Sequence, residues 1–204
     1  MQRQADGDMQ GIVAAALMTA TVAFVVAKKP MPALVTAIAG VAYFSMYRSI
    51  SSHTSAPAEK EREVVAARYA DWALTTPLIL FMLLRKSLTA PWLAFVCGAD
   101  ALMIAAGYLG VVSERANRRA WFALSCAFFL PVLAAVGAFL IGARKKQTGG
   151  LWAAALILLV WLAYPVVWWM QYCVEGSGAL SNSRATGITA ALDVIAKVGF
   201  GVLI

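Results

Sequence analysis

The sequence predicts an all-α membrane protein, a single bundle of seven transmembrane helices. Of its 204 residues, 62% are apolar and only 13% are charged, and the mean hydropathy is +0.76. Soluble domains carry roughly 45–50% apolar and about 25% charged residues, so this composition excludes a soluble globular enzyme and a disordered chain. Seven spans of about 20 residues each would use roughly 140 residues and leave only short loops.

Polar breaks divide the chain into seven apolar segments. We place them at residues 9–27, 31–51, 64–85, 90–112, 119–143, 149–173 and 185–204. The breaks between them are Lys28 to Pro30, Ser51 to Glu63, Arg85-Lys86, Ser113 to Arg119, Arg144 to Gly150 and Glu175 to Arg184. The first segment lacks the flanking features of a cleaved signal peptide, so we expect it to be retained as a helix. No soluble domain fits between the segments, and we expect residues 1–204 to form one membrane domain.

The charges of the loops indicate an orientation in the cell membrane. The loops after helices one, three and five hold seven Lys or Arg residues and no acid, whereas the other side holds eight cations and seven acids. Cations favour the cytoplasmic side, although the two cation counts are nearly equal. We therefore expect the acid-free side to be cytoplasmic and the N terminus to be extracellular.

A few charged residues lie within the apolar segments: Arg68, Asp71, Asp100, Asp193 and Lys197. Each would cost at least a few kcal/mol unpaired at mid-bilayer, so they indicate a functional site. Asp193 and Lys197 are one helical turn apart on one face, as are Arg68 and Asp71. Such a cluster is either a structural ion-pair network or the setting of a reactive lysine that forms a Schiff base with an aldehyde.

Four motifs resemble one family. They are residues 68–77 (RYADWALTTP), residues 192–201 (LDVIAKVGFG), residues 161–168 (WLAYPVVW), and AIA with YFSM within residues 37–46. In this order, and across nearly the whole chain, they resemble helices three, seven, six and two of the microbial (type 1) rhodopsins, and of the bacteriorhodopsin-like pumps in particular.

The resemblance implies that Lys197 binds all-trans retinal as a protonated Schiff base. Asp71 and Asp193 would then be the counterions, and Asp71 would also be the proton acceptor. The resemblance further implies a counterion network around them, formed by Arg68, Thr75, Tyr43 and Tyr164. Tyr43 and Tyr164 match positions that hydrogen-bond the second counterion in the family.

The resemblance also implies a retinal pocket. Its members would be Trp72, Thr76, Ile79, Met103, Gly107, Ser125, Phe129, Trp161 and Trp168, with Tyr164 beside them. Trp161, Tyr164 and Trp168 recur at i, i+3 and i+7, which places them in one stripe of a helix. Asp100 resembles a buried aspartate of the family that stays protonated and is linked to Thr76.

The chain departs from bacteriorhodopsin at the positions that deliver and release protons. The internal donor would be a carboxylic acid eleven residues after Asp71, and this position is Met82. Glu175 matches one of the two glutamates of the proton-release group, but Ala185 occupies the position of the other. We therefore expect a pump without an internal carboxylic donor and retain Glu175 only as a release candidate.

Outward proton pumping fits these residues best. Anion pumps of the family replace the aspartate at position 71, and sodium pumps carry Asn and Gln in the helix-three triplet. A sensory rhodopsin with a slow photocycle and an inward proton pump remain alternatives. The expected partners are the lipid bilayer and protons, with a homo-oligomer (trimer or pentamer) left open and a transducer if the protein is a sensor. We expect no enzyme activity, no nucleic-acid partner and no metal site, and we interpret the three cysteines as free thiols.

Overall fold

Seven long helices make up most of the part of the chain described by a computed structural model, which covers residues 2–52, 56–146 and 150–204. Their bounds are α1 (Gln2–Val26), α2 (Pro30–Ser51), α3 (Pro57–Leu84), α4 (Ala90–Val112), α5 (Arg118–Lys146), α6 (Leu151–Tyr172) and α7 (Asn182–Leu203). Short 3-10 turns at Arg115–Asn117 and Gly176–Gly178 precede α5 and α7. The prediction of an all-α, seven-helix protein is confirmed.

The third helix is longer than its apolar segment. Residues 57–63 belong to α3, although the sequence analysis assigned them to a loop. They are mostly Ala, Glu, Lys and Arg, which favour helix, and Pro57 suits the first helical turn. Hydropathy detects burial in lipid and therefore misses a polar helix end. α3 is not among the six described helices whose length and composition suit a membrane span, and seven of its 28 residues are charged.

The helices form a closed ring. Each one packs against its neighbours in sequence, and α7 packs back against α1. Short connections make consecutive helices antiparallel, so the odd-numbered helices all begin at one end of the bundle. We call this the N-terminal end and the other the opposite end. In α3, Arg68 therefore lies nearer the N-terminal end than Asp71, and Met82 lies nearer the opposite end.

The largest apolar core fills the half of the bundle toward the opposite end. It joins α2, α3, α4, α5, α6 and the end of α7. Its fully buried side chains include Leu80, Leu84, Val132, Val136 and Ile157. Met82 packs against this cluster as a partly buried side chain. The half of the bundle toward the opposite end is thus filled mainly by apolar side chains.

The last helix changes its winding at Lys197. Residues Ile195–Gly199 form a π-helical turn, after which the α-helix resumes at Phe200. Wider turns of this kind are rare and frequently occur at functional positions. This one carries the lysine that the sequence analysis singled out.

Candidate functional site

A buried lysine and two buried carboxylates form the centre of the site. The Nζ atom of Lys197 lies 2.7 Å from Oδ2 of Asp71 and 3.3 Å from Oδ1 of Asp193. All three side chains are at most 2% exposed. Charges so deeply buried are tolerated only when they are paired and hydrogen-bonded. The tertiary fold therefore brings the lysine of α7 against the aspartate of α3, which the sequence motifs place 126 residues away.

Three donors hold Asp193 in place. The Tyr43 hydroxyl donates to its Oδ2 at 2.6 Å, and the Tyr164 hydroxyl donates to its Oδ1 at 2.6 Å. The indole Nε1 of Trp72 donates to the same Oδ1 at 3.0 Å. The contact of Trp72 was missed by the sequence analysis, which placed this residue only in the pocket. Together these bonds stabilise Asp193 as a carboxylate.

Asp71 has fewer donors. The Thr75 hydroxyl lies 2.8 Å from the backbone carbonyl of Asp71 and 3.3 Å from its Oδ1, so its proton is shared between two acceptors. Apart from Lys197, Thr75 is the only side chain in the described part of the protein with a hydrogen bond to this carboxylate. Of the two carboxylates, Asp71 is therefore the closer to Lys197 and the less stabilised as an anion.

Arg68 lies beside the cluster without pairing with it. Its side chain is only 6% exposed, yet the ion pairs of the described residues do not include it. Its Nη2 atom is 3.5 Å from the hydroxyl of Thr186, a long contact. Thr186 precedes Asp193 by seven residues, two turns along the same face of α7. That spacing was a signal that could have identified Thr186 from the sequence.

A cavity leads away from Lys197 between α3, α4, α5, α6 and α7. It encloses about 1040 Å³ of space, including the part that opens to solvent. Its walls contain every residue that the sequence analysis assigned to a retinal pocket: Trp72, Thr76, Ile79, Met103, Gly107, Ser125, Phe129, Trp161 and Trp168. Tyr164 lines it too, as do Tyr69, Phe122 and Cys126, which the motifs did not single out.

Hydrogen bonds and small residues fix the aromatic walls. The Nε1 of Trp168 donates to the Tyr69 hydroxyl at 3.0 Å, and the Ser125 hydroxyl donates to the backbone carbonyl of Met103 at 2.9 Å. A Cβ atom at Gly107 would lie 3.3 Å from the ring of Tyr69. At Gly110 it would lie 2.8 Å from the ring of Trp168, so a side chain there would displace the indole.

The residues of this cavity fit retinal. The walls are mainly aromatic and aliphatic, as an apolar polyene requires, and the amine of Lys197 is available for condensation with an aldehyde. The two aspartates beside the amine would compensate the positive charge of a protonated Schiff base. The charged groups are therefore concentrated at the reactive end of an otherwise apolar cavity.

Asp100 does not join the charge cluster. Its Oδ2 atom is 2.6 Å from the hydroxyl of Thr76, which also contacts the backbone carbonyl of Trp72 at 2.9 Å. Its Oδ1 atom is buried and has no hydrogen-bond partner among the described residues. A carboxyl in this position links α4 to α3 and is not in contact with Lys197.

Loss of this link should destabilise the protein. Thr76→Val keeps the side-chain shape but removes the hydroxyl that satisfies Asp100, so we expect a loss of about 1–3 kcal/mol of stability. Thr19→Val is the matched control, because the exposed Thr19 bonds the carbonyl of Ala15 in its own helix and no second element in the described part of the chain. The free energy of unfolding measures both. Equal effects of the two substitutions would contradict a structural role for the Thr76–Asp100 bond.

A second, more polar cavity opens at the N-terminal end, and we call it the vestibule. It is lined by Asp6, Ile50, Lys60, Glu61, Val64, Val65, Arg68, Gln171, Tyr172, Asn182 and Thr186. The release candidate Glu175 lines neither cavity. It pairs with Arg115 at 2.5 Å on the surface, where the two side chains are 73% and 63% exposed.

Comparison with known proteins gives the relationship directly. The sequence profile of the bacteriorhodopsin-like proteins matches residues 6–204. Archaerhodopsin-3 of Halorubrum sodomense is 34% identical over 178 residues, which cover 84% of this chain and 68% of that protein. Cruxrhodopsin-3 of Haloarcula vallismortis is 33% identical over 184 residues, covering 84% of this chain and 73% of that protein.

Solved structures of proton-pumping rhodopsins have the same fold as this chain. The proton-pumping rhodopsin AR2 of the marine alga Acetabularia acetabulum superposes with a TM-score of 0.82 at 29% identity, covering 97% of this chain and 92% of that one. The light-driven proton pump of Coccomyxa subellipsoidea gives a TM-score of 0.71 at 28% identity, covering 99% and 93%. The family binds retinal, and the cavity beside Lys197 has the residues to hold it. The chain belongs to the bacteriorhodopsin-like family of multi-pass, seven-helix membrane proteins.

Proposed function

We propose that the protein is a light-driven outward proton pump in which Lys197 carries all-trans retinal and the N terminus is extracellular. The observation that carries this proposal is the 2.7 Å contact between Nζ of Lys197 and Oδ2 of Asp71, both buried. Retinal, when bound there as a protonated Schiff base, supplies the absorption of visible light and the isomerisation that starts transport. Every following role belongs to side chains of this chain.

Asp71 accepts the proton from Nζ of Lys197. It is the nearer of the two carboxylates to Nζ. Among the described residues it accepts from one hydroxyl, that of Thr75, which also contacts the backbone carbonyl of Asp71. Asp193 receives three hydrogen bonds and remains the permanent counterion. Because hydrogen bonds to an anion favour its charged form, the difference between the two environments directs the proton to Asp71.

The transport direction follows from what lies on each side of Lys197. Toward the N-terminal end lie Arg68 and the polar vestibule, a route by which a proton can leave Asp71. Toward the opposite end lies the apolar core around Leu80 and Leu84, through which a proton returns to Nζ slowly. The loop cations favour the opposite end as the cytoplasmic one. A proton leaving Asp71 is thus released outside and replaced from the cytoplasm.

Light-driven pH changes test the proposal. Cells or sealed, oriented vesicles that contain the protein with retinal should acidify the external medium under illumination, and an uncoupler should abolish the change. External alkalinisation would favour the inward pump instead. A coloured protein with a slow photocycle and no pH change would favour the sensory alternative, which the apolar half around Met82 also suits. Extraction of the dark-adapted chromophore checks the all-trans isomer.

Proton return should depend on the bulk pH. Met82 lies eleven residues after Asp71, three turns along the same face of α3, and packs against the apolar core instead of supplying a donor. Because bulk solvent is the donor, we expect the rate at which the proton returns to Lys197 to fall about tenfold for each unit by which the pH rises. Met82→Glu should accelerate the return and flatten this dependence, whereas Met82→Gln, which has no proton to give, should not.

Flash photolysis between about pH 5 and 9 measures this return. A buried glutamate in the apolar half costs stability, so both variants are compared at equal amounts of coloured protein. Fast, pH-independent recovery in the unmodified protein would show that another residue donates, and the donorless pump would be wrong.

A further inference from the structure

Arg68 lies in the wall between the two cavities. It lines both the Lys197 cavity and the vestibule, together with Gln171 and Tyr172. Its side chain is 94% buried, and its Nε atom has no hydrogen-bond partner among the described residues. A buried cationic donor without a partner is costly, so a group in the vestibule would be attracted to it. A negative charge or a proton acceptor in the vestibule would therefore interact with Arg68, which also lines the Lys197 cavity.

Glu61 is the carboxylate that hydrogen bonds connect to that wall, through Asn182 to Gln171. Its Oε1 atom accepts a hydrogen bond from Nδ2 of Asn182 at 2.8 Å. The Oδ1 atom of Asn182 in turn accepts from Nε2 of Gln171 at 3.2 Å. This chain of two amides joins α3, α7 and α6. Through Asn182, it ties the carboxylate in the vestibule to Gln171, which also lines the Lys197 cavity.

The other charged groups of the vestibule have different partners. Asp6 of α1 accepts from the hydroxyl of Ser183, and Lys60 donates to the backbone carbonyl of Ser52. Tyr172 of α6 and Arg68 complete the titratable and charged groups in its described walls. Glu61 has no ion pair with any cation of the described residues. Glu61 is held by a neutral amide and is exposed to solvent, so its carboxylate faces both the vestibule and the medium.

We propose that Glu61 is the relay that takes the proton leaving Asp71 and passes it to the medium at the N-terminal end. The proposal rests on the pumping function proposed above. The O–H bond on Asp71 breaks, the proton crosses the vestibule past Arg68, and an O–H bond forms on Glu61. Glu61 then loses the proton to bulk water and is again a carboxylate. Asn182 and Gln171 are positioning residues that keep the carboxylate in the vestibule.

Glu175 is the competing assignment, and its geometry argues against it. It lies outside the walls of both cavities and pairs with Arg115 on the surface. A proton that leaves past Arg68 enters the vestibule, where Glu61 and not Glu175 is available.

Two time-resolved measurements on the retinal-bound protein test the relay. Flash photolysis follows loss of the proton from Nζ of Lys197, and a pH-sensitive dye in the medium follows proton release. Glu61→Gln should delay release about tenfold while leaving the loss from Lys197 unchanged, because only the exit step is altered. Glu61→Asp should restore most of the release rate. Glu59→Gln is the matched control, since Glu59 is exposed on the same helix and does not line the vestibule.

The outcomes distinguish failure of the Glu61 relay from failure of the proposed pumping function. Unchanged release in Glu61→Gln, or a delay in Glu175→Gln instead, would overturn the relay while leaving the pump intact. Absence of any light-driven proton loss from Lys197 in the unmodified protein would overturn the proposed function and the relay with it.

Discussion

Lys197→Ala should be colourless when the protein is supplied with retinal. The lysine is the amine that the cavity presents beside two carboxylates, and a protonated Schiff base held by them absorbs far to the red of free retinal. The substitution also leaves Asp71 and Asp193 buried without a cation, which should cost about 3–5 kcal/mol unless they take up a proton. Absorption spectra after reconstitution measure the colour, and circular dichroism shows whether the helices persist.

A surface lysine provides the control for this experiment. Lys86 is exposed in the connection after α3, so Lys86→Ala should keep the full visible band. If Lys197→Ala is too unstable to purify, Lys197→Gln retains most of the side-chain volume without a reactive amine and should be equally colourless. A visible band that survives in either Lys197 variant would remove this lysine as the attachment site.

Asp71→Asn should shift the absorption to the red and abolish proton transport. Its carboxylate lies nearest to the charged nitrogen, and its negative charge stabilises the ground state more than the excited state, in which positive charge moves away from the nitrogen. Removal of that charge narrows the energy gap between the ground and excited states, which shifts the absorption to the red. Removal of the proton acceptor stops transport. The unmodified protein should show the same red shift when acid protonates Asp71, whereas Asp71→Asn should not respond.

Asp100→Asn is the matched control, because it replaces a buried carboxyl that bonds Thr76 and makes no contact with Lys197. It should leave both the colour and the pumping nearly unchanged. A wild-type spectrum that stays constant down to about pH 3, below an ordinary carboxyl pKa, would contradict the counterion role of Asp71.

The sequence by itself determined the number of helices and the residues around Lys197. Hydropathy measures the affinity of a segment for lipid, and the lipid-facing spans stand out without any knowledge of their neighbours. Asp193 and Lys197 share a face because the helical repeat alone brings i and i+4 together. The family resemblance then predicted many of the residues that line the cavity. By contrast, the polar residues 57–63 showed no hydropathy signal, and this first part of α3 was missed.

The tertiary structure alone decided which groups meet across the bundle. No spacing indicates that the indole of Trp72 donates to Asp193 or that Asp71 lies closer to Lys197 than Asp193 does. Nor does any spacing indicate that Arg68 makes no ion pair among the described residues. Gln171, Asn182 and Glu61 come from three helices and are joined only by packing. A helical period fixes contacts within one helix, whereas contacts between helices depend on side-chain rotamers and on how the helices pack around the ring.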